Sequence, residues 1–125
     1  MIKVKREPLC TYQQLIVWQK AMDLVELVYQ STSRFPARED FGLTDQLRRA
    51  AVSIPSNIAE GQGRLSKKDF KHFLAMARGS LLEVETQMLI AVDLGYLKQQ
   101  QADEILGQTQ EVLQILNGLI RSLPC

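Results

Sequence analysis

The sequence has few of the residues on which catalytic and metal sites commonly depend. Its 125 residues include one histidine, His72, and two cysteines. A di-iron bundle needs Glu-x-x-His pairs on two helices, and no glutamate stands three residues before His72. A bundle-shaped ribonuclease of the HEPN group would have an arginine only a few residues before its histidine, whereas the nearest one here is Arg64. We therefore expect no catalytic residue, no metal, no cofactor and no enzymatic activity.

Long apolar runs and strand-like alternation are also missing. The apolar stretches are short and interrupted by charges, which excludes a membrane-spanning segment. The basic N-terminal residues precede no apolar segment of the kind found in secretory signals, so we expect a cytoplasmic protein. There, Cys10 and Cys125 are expected to be reduced thiols, with a disulfide as the less favoured alternative. No segment alternates with period two over the length of a strand, which argues against a sheet.

What the sequence does contain is helical periodicity. It predicts an all-α, up-down four-helix bundle in residues 11–125, preceded by an arm at residues 1–10. The first predicted helix covers residues 11–33 and starts with a capping box of Thr11 and Gln14. The second starts with Thr44 as N-cap and ends near Gly61 and Gly63. The third opens at Ser66 as N-cap, with Asp69 three residues later, and closes at Gly95. The fourth covers about residues 99–123.

Pro55 lies within the apolar pattern of the second predicted helix. A proline inside a helix costs about 3 kcal/mol, because it removes a backbone hydrogen bond and crowds the carbonyl four residues earlier. We therefore predict a kinked second helix whose surroundings accommodate the bend. The polar residues Ser53, Ser56 and Asn57 are expected to satisfy backbone groups that the proline frees.

The first and third predicted helices carry more apolar residues than one buried stripe requires. In the first helix a stripe from Leu15 to Tyr29 is accompanied by a second one, and in the third helix a main seam is accompanied by further leucines and a valine. The surplus is consistent with the deep centre of the bundle or with a subunit interface. The candidate interface residues are Val17, Leu24, Val28, Leu82, Leu89 and Val92.

The charges are unevenly distributed, although the net charge is only +1. Residues 45–78 hold seven basic and three acidic side chains, whereas residues 79–125 hold two basic and six acidic ones. A basic surface repeated in an oligomer would bind nucleic-acid phosphates, since affinity grows with the number of phosphates neutralised. The alternatives are a solvated face or a contact with the acidic surface of a neighbouring subunit. The candidate phosphate-binding residues are Arg48, Arg49, Arg64, Lys67, Lys68 and Lys71.

Four stretches of the sequence resemble one known family. They are residues 15–22 (LIVWQKAM), 35–43 (FPAREDFGL), 46–61 (QLRRAAVSIPSNIAEG) and 69–97, which contain DFKHFLAMARGSLLEVETQ and LGYL. Together they resemble the bacterial four-helix bundle proteins encoded within 23S rRNA intervening sequences. The resemblance covers about residues 12–120, and its most specific part is SIPSNIAEG at residues 53–61.

The resemblance implies an up-down bundle that assembles into a ring-like homo-oligomer, expected to be a pentamer. The accessory protein of diversity-generating retroelements is similar, and its role as a nucleic-acid-binding partner of a reverse transcriptase implies possible RNA, DNA or protein partners here. The leading hypothesis is a non-enzymatic oligomer that binds RNA or DNA phosphates through its basic surface. No aromatic residue is evidently displayed for base stacking, so such binding would be electrostatic. The alternative is an interaction or scaffold module without a nucleic-acid role.

Overall fold

Four α-helices follow one another along the chain, as the apolar periodicity predicts. The computed structural model describes residues 12–123, and no strand occurs among them. The helices are α1 Ile16–Thr32, α2 Leu43–Gln62, α3 Lys67–Asp93 and α4 Gln99–Ser122, and short 3-10 turns lie at Tyr12–Gln14 and Ala37–Glu39. The predicted arm, the predicted cap at Thr11 and both cysteines lie outside the described residues.

The helices pack in a closed cycle. Both α1 and α3 pack against α2 and α4, and the most extensive contact is between α2 and α3. With short connections this is the up-down arrangement. The α1–α2 and α3–α4 connections meet at one end of the bundle, where the Tyr96 hydroxyl donates to the Glu39 carboxylate at 2.8 Å. We call this the loop end. We call the opposite end the turn end; it comprises residues 63–66 together with the last turn of α2 and the first two turns of α3.

Each helix contributes one buried stripe to the core. The main apolar seam of α3, with residues Ala77, Leu81, Val84, Met88 and Ala91, is fully buried. Branched and unbranched aliphatic side chains spaced three or four residues apart fill the centre, as ordinary bundle packing requires. The central buried residues are Val17, Ala21, Leu24, Val28, Leu47, Ala51, Ile54, Ile58, Leu74, Ala77, Leu81, Val84, Met88, Ala91, Ala102, Ile105, Val112 and Leu116.

The predicted interface role is wrong for the three residues of α1. Val17, Leu24 and Val28 are at most 1% exposed within a single chain, so no surface of theirs is left for a second subunit. The stripe that contains Trp18 and Met22 is the partly exposed one instead. On α3, Leu82 and Leu89 are exposed; Val92 is half-buried against the core.

The observed ends of α3 agree with the predicted ones, whereas the observed start of α2 differs from the predicted one. The Ser66 hydroxyl accepts the amide of Asp69 at 3.0 Å, which confirms the predicted N-cap of α3. Gly95 follows the end of α3 with a φ of 80°, a conformation that glycine adopts without steric cost. Thr44 is not the N-cap of α2, because the helix begins one residue earlier and the Glu39 carboxylate accepts the first amide, that of Leu43, at 3.0 Å.

Pro55 is buried inside α2, which continues as one α-helix on both sides of it. The proline leaves the carbonyl of Ala51 without its usual helical donor. The side chains of Ser53, Ser56 and Asn57 each donate to a carbonyl one turn earlier at 2.7 to 2.8 Å, but none of these carbonyls is that of Ala51. The polar residues therefore bond to the carbonyls around the freed group rather than to it, and the bend of α2 stays a prediction.

Candidate nucleic-acid interface

Two lysines occupy the first turn of α3 at the turn end. Lys67 and Lys68 are exposed, and their side chains have no ion pair or hydrogen bond within residues 12–123. The backbone dipoles of a helix place partial positive charge at its N-terminus, where acidic side chains stabilise the helix and cations do not. Asp69, in the same turn, follows this rule. The two lysines thus add positive charge where the helix already has it.

The backbone at this helix end adds hydrogen-bond donors to the lysine side chains. Of the first four amides of α3, that of Asp69 is bonded to the Ser66 hydroxyl and that of Phe70 to the Ser66 carbonyl at 3.1 Å. The amides of Lys67 and Lys68 have no intrahelical acceptor, since a helix leaves its first donors unpaired. Unpaired amides at a helix N-terminus beside cationic side chains are the usual surroundings of a bound phosphate.

Arg64 lies beside these lysines but is held by the protein. Its guanidinium is 2.8 Å from the Glu60 carboxylate, and it stacks over the ring of Phe73 at 4.8 Å from the ring centre. Leu65, between Arg64 and the helix cap, is fully exposed. Lys71, one turn further along α3, is half-buried. The turn end therefore presents Lys67 and Lys68 to solvent, whereas the charge of Arg64 is partly neutralised by Glu60.

Gly61 determines how closely the two helices of the turn end approach. A Cβ added to Gly61 would lie 2.7 Å from the Cβ of Phe73 and 3.0 Å from a ring carbon of Phe70. Only a residue without a side chain fits at this distance, so the last turn of α2 lies directly against the first turns of α3. This contact places the α3 N-terminus and its lysines at the corner of the bundle.

Arg48 is used to hold two helices together. Its guanidinium donates to the Thr32 hydroxyl at 2.9 Å and to the Tyr29 carbonyl at 3.3 Å, and it lies 4.5 Å from the centre of the Tyr29 ring. These contacts join α2 to the last turn of α1. The guanidinium is therefore committed to the protein rather than presented to a ligand.

Arg49 is exposed and forms an ion pair with Asp45 at 2.9 Å, one turn earlier on α2. It lies about 20 Å along the helix axis from Gln62, where α2 ends at the turn end. The six predicted phosphate-binding residues consequently do not form one patch. Four of them belong to the turn end, whereas Arg48 and Arg49 lie towards the loop end.

At the loop end Arg38, Glu39 and Tyr96 contact one another, whereas Arg34 and Lys98 are exposed. The Glu39 carboxylate accepts the amide of Leu43 and the hydroxyl of Tyr96, and Arg38 stacks over the Tyr96 ring at 5.5 Å from its centre. The Leu43 amide, followed by the Tyr96 hydroxyl and the charge of Arg38, lowers the pKa of Glu39. Sequence reasoning missed this cluster, because its members come from two connections that are far apart in the chain.

The described chain has an open cavity of about 760 Å³ beside this cluster. Its lining residues include Gln30, Arg34, Tyr96 and Lys98, and none of them is a histidine, cysteine, aspartate or glutamate. Over residues 12–123, no three such side chains lie close enough together to hold a metal ion. None of the helices of that part of the chain has the length and apolar character needed to cross a membrane.

The helices and the turn end define an all-α, up-down four-helix bundle with a cationic corner. Residues 13–118 match the 23S rRNA-intervening sequence protein family, so the chain belongs to this family. It is similar to the crystal structure of a protein of unknown function from the S23 ribosomal protein family of Bacteroides thetaiotaomicron VPI-5482. The two share 23% identity with a TM-score of 0.77, over 85% of this chain and 96% of the other, a likeness that shows the fold. A search of curated proteins found no match.

Proposed function

We propose that the protein is a non-enzymatic, self-associating bundle of the cytoplasm that binds phosphates of RNA or DNA at its turn end. The observation that carries the proposal is the pair Lys67 and Lys68. Both lie in a helix turn where their charge disfavours the helix, and neither is paired within the described chain. Cations that contribute nothing to the fold at such a position are suited to a ligand of opposite charge.

The mode of binding follows from what surrounds the lysines. Phosphate contacts carry no sequence information, whereas base recognition needs groove-reading side chains or aromatic platforms. The exposed phenylalanine and tyrosine side chains of the described residues, Phe41 and Tyr29, belong to the loop end and to the end of α1 that leads to it. The turn end is therefore expected to bind unrelated nucleic acids with similar affinity and strong salt dependence.

Self-association would bring several copies of this weak site together in one assembly. One turn end offers few cations, but several copies in one assembly neutralise several phosphates of the same strand, and each neutralised phosphate adds to the affinity. The exposed apolar side chains Leu82 and Leu89 on α3 support an assembly. The ring that the family resemblance implies, expected to be a pentamer, is the form we propose.

The test compares two pairs of exposed cations. Lys67→Gln with Lys68→Gln removes two charges from the turn end, and Arg34→Gln with Lys98→Gln removes two from the loop end. Binding of a fluorescent single-stranded RNA is measured from 50 to 200 mM salt. We expect the turn-end variant to lose affinity and its plot of log affinity against log salt to become flatter by about 0.7 for each phosphate contact removed. The loop-end variant should bind like the wild type.

Equal losses in the two variants would assign the binding to overall charge and not to the turn end. A wild type that does not bind RNA at 50 mM salt would favour the alternative function, an interaction or scaffold module. The apolar surface on α3 is the observation that would then carry that alternative.

A further inference from the structure

The cavity at the loop end has the size of a small-molecule site. Its volume is about 760 Å³, and sites for small molecules commonly measure roughly 300–1,000 Å³. One wall comes from the last two turns of α1 and the connection that follows them. The other wall comes from the connection between α3 and α4 and from the first turn of α4. We call this space the loop-end cavity.

The charges on the lining of the loop-end cavity all have one sign. Arg34 and Lys98 contribute one cation from each wall, and no carboxylate lines the cavity. Both side chains are exposed and form no ion pair or hydrogen bond within residues 12–123. Most other arginines in that part of the chain contact a partner, as Arg38, Arg48 and Arg64 do. The cavity therefore presents two positive charges that the protein itself does not neutralise.

The walls of the cavity are held in place without the use of these two cationic groups. The Tyr96 hydroxyl donates to the Glu39 carboxylate at 2.8 Å, and the centre of the Tyr96 ring lies 5.6 Å from that of Phe35. These contacts join the two connections. At the start of α4 the Lys98 amide donates to the Gln101 side chain at 3.1 Å. A site whose walls are already fixed loses little conformational entropy when a ligand enters.

The charge and the size of the cavity together favour an organic phosphate as its ligand. A phosphate monoester carries about 1.5 to 2 negative charges near neutral pH, which matches two cations, whereas a carboxylate carries one. Arginine binds phosphate oxygens through two parallel hydrogen bonds, and lysine adds a point charge. Inorganic phosphate would leave most of the volume empty. The rest of the lining includes the polar side chains of Gln30, Ser31 and Gln101 beside the aliphatic Leu27, which suits a flat ring with polar edges.

We propose that the loop-end cavity binds a free nucleoside 5′-monophosphate. The phosphate lies between Arg34 and Lys98, and the base lies against Leu27 and the two glutamine side chains. This inference is independent of the proposed function, because α3, with a length of about 40 Å, separates the cavity from the turn end.

The test compares the loss of two charges at each end of the bundle. Arg34→Gln with Lys98→Gln removes both cations from the cavity, and Lys67→Gln with Lys68→Gln is the matched control at the turn end. None of the four side chains has a partner in the described chain, so both variants should fold, which melting temperatures verify. Binding of the four ribonucleoside 5′-monophosphates, their nucleosides and inorganic phosphate is measured by NMR titration of the full chain.

We expect the wild type and the turn-end control to bind at least one of the four nucleotides with equal affinity. The cavity variant should bind that nucleotide about a hundredfold more weakly, which is about tenfold for each charge-assisted hydrogen bond lost. A further variant, Ser31→Phe, keeps both cations and places a large side chain at a half-buried position of the lining. It should also weaken nucleotide binding, because the base then lacks space.

Several results would overturn the proposal. They are a wild type that binds none of the four nucleotides at millimolar concentration, an equal loss of affinity in the turn-end control, and unchanged affinity in a folded Ser31→Phe protein. Inorganic phosphate or a nucleoside that binds as tightly as the nucleotide would also overturn it, because one half of the ligand would then contribute nothing. The RNA-binding test at the turn end is a separate measurement, so either proposal can fail without the other.

Discussion

The N-termini of α2 and α3 carry different charges. At α2 the Glu39 carboxylate accepts the first helical amide, and Asp45 lies in the first turn. At α3 the first turn holds Lys67 and Lys68 before Asp69, and the side chain that caps it is the uncharged Ser66 hydroxyl. Negative charge stabilises a helix N-terminus and positive charge does not. We therefore interpret the α2 N-terminus as built for stability, and we propose that the α3 N-terminus accepts an anion at some cost in stability.

The two ends of the bundle differ in the same way. At the loop end Arg38 and Glu39 both contact Tyr96, so these two charges are used within the protein across two connections. At the turn end the lysines face solvent, and helix contact rather than charge holds the backbone in place, with Gly61 against Phe73. Stability experiments should therefore separate the two ends, and the following predictions are ordered by the size of the expected effect.

The largest effect is expected from Gly61→Ala at the turn end. The added Cβ would lie 2.7 Å from Phe73, so α2 and α3 must move apart, and overpacking of this kind typically lowers the free energy of unfolding by about 1–3 kcal/mol. Urea unfolding measures it. Gly79→Ala is the control, because its Cβ would meet nothing within 4 Å, and alanine is the better helix former by up to about 1 kcal/mol. Equal destabilisation by both changes would show that helix contact does not hold the turn end.

The next effect concerns the acid cap of α2 and depends on pH. Because hydrogen bonds from Leu43 and Tyr96 lower the pKa of Glu39, its carboxylate stabilises the fold above the pKa of an unfolded glutamate, and this stabilisation is lost as the pH falls through the lowered value. Melting temperatures between pH 6 and about pH 3 should fall more steeply for the wild type than for Glu39→Gln. The control, Glu104→Gln at an exposed position of α4, should follow the wild type. Parallel curves for all three proteins would contradict the role of Glu39.

The smallest effect on stability is expected from changing Lys67 and Lys68 at the proposed binding site. Glutamine forms helices about as well as lysine, and removing a cation from a helix N-terminus relieves an unfavourable interaction with the dipole. The Lys67→Gln, Lys68→Gln protein should therefore be as stable as the wild type or more stable, by up to about 1 kcal/mol at low salt. Urea unfolding in low and high salt checks it, since screening should remove the gain. A clear loss of stability would mean that the lysines serve the fold.

The helices and most of their ends could be predicted from local sequence. Ser66 with Asp69 three residues later marks the start of α3, and Gly95 marks its end, because caps depend on residues within one turn. The cap of α2 was mispredicted at Thr44 because its real partner, Glu39, lies in a separate 3-10 turn before the helix. Tyr96, which completes that cluster, comes from a connection more than fifty residues away.

The periodicity of the sequence showed where the apolar stripes lie, but it could not show which of them faces the core. In α1 the apolar residues cover more than half of the helix circumference, so the stripe with Leu24 and the stripe with Trp18 are equally plausible as core. The position of neighbouring helices decides this, and it buries Leu24. The count of charges along the sequence likewise could not show which of them lie together. It grouped Arg48 with Lys67, although the fold separates the two and Arg48 bonds to Thr32 of α1.

The most direct test of phosphate binding at the turn end is the salt dependence of binding by the wild type. Affinities for an unrelated single-stranded RNA and a single-stranded DNA of equal length are measured by fluorescence anisotropy at several salt concentrations. If the lysines contact phosphates only, the two nucleic acids should give similar affinities and parallel, steep slopes of log affinity against log salt. Affinity that does not change with salt, or that is undetectable even at the lowest salt concentration, would contradict the proposal.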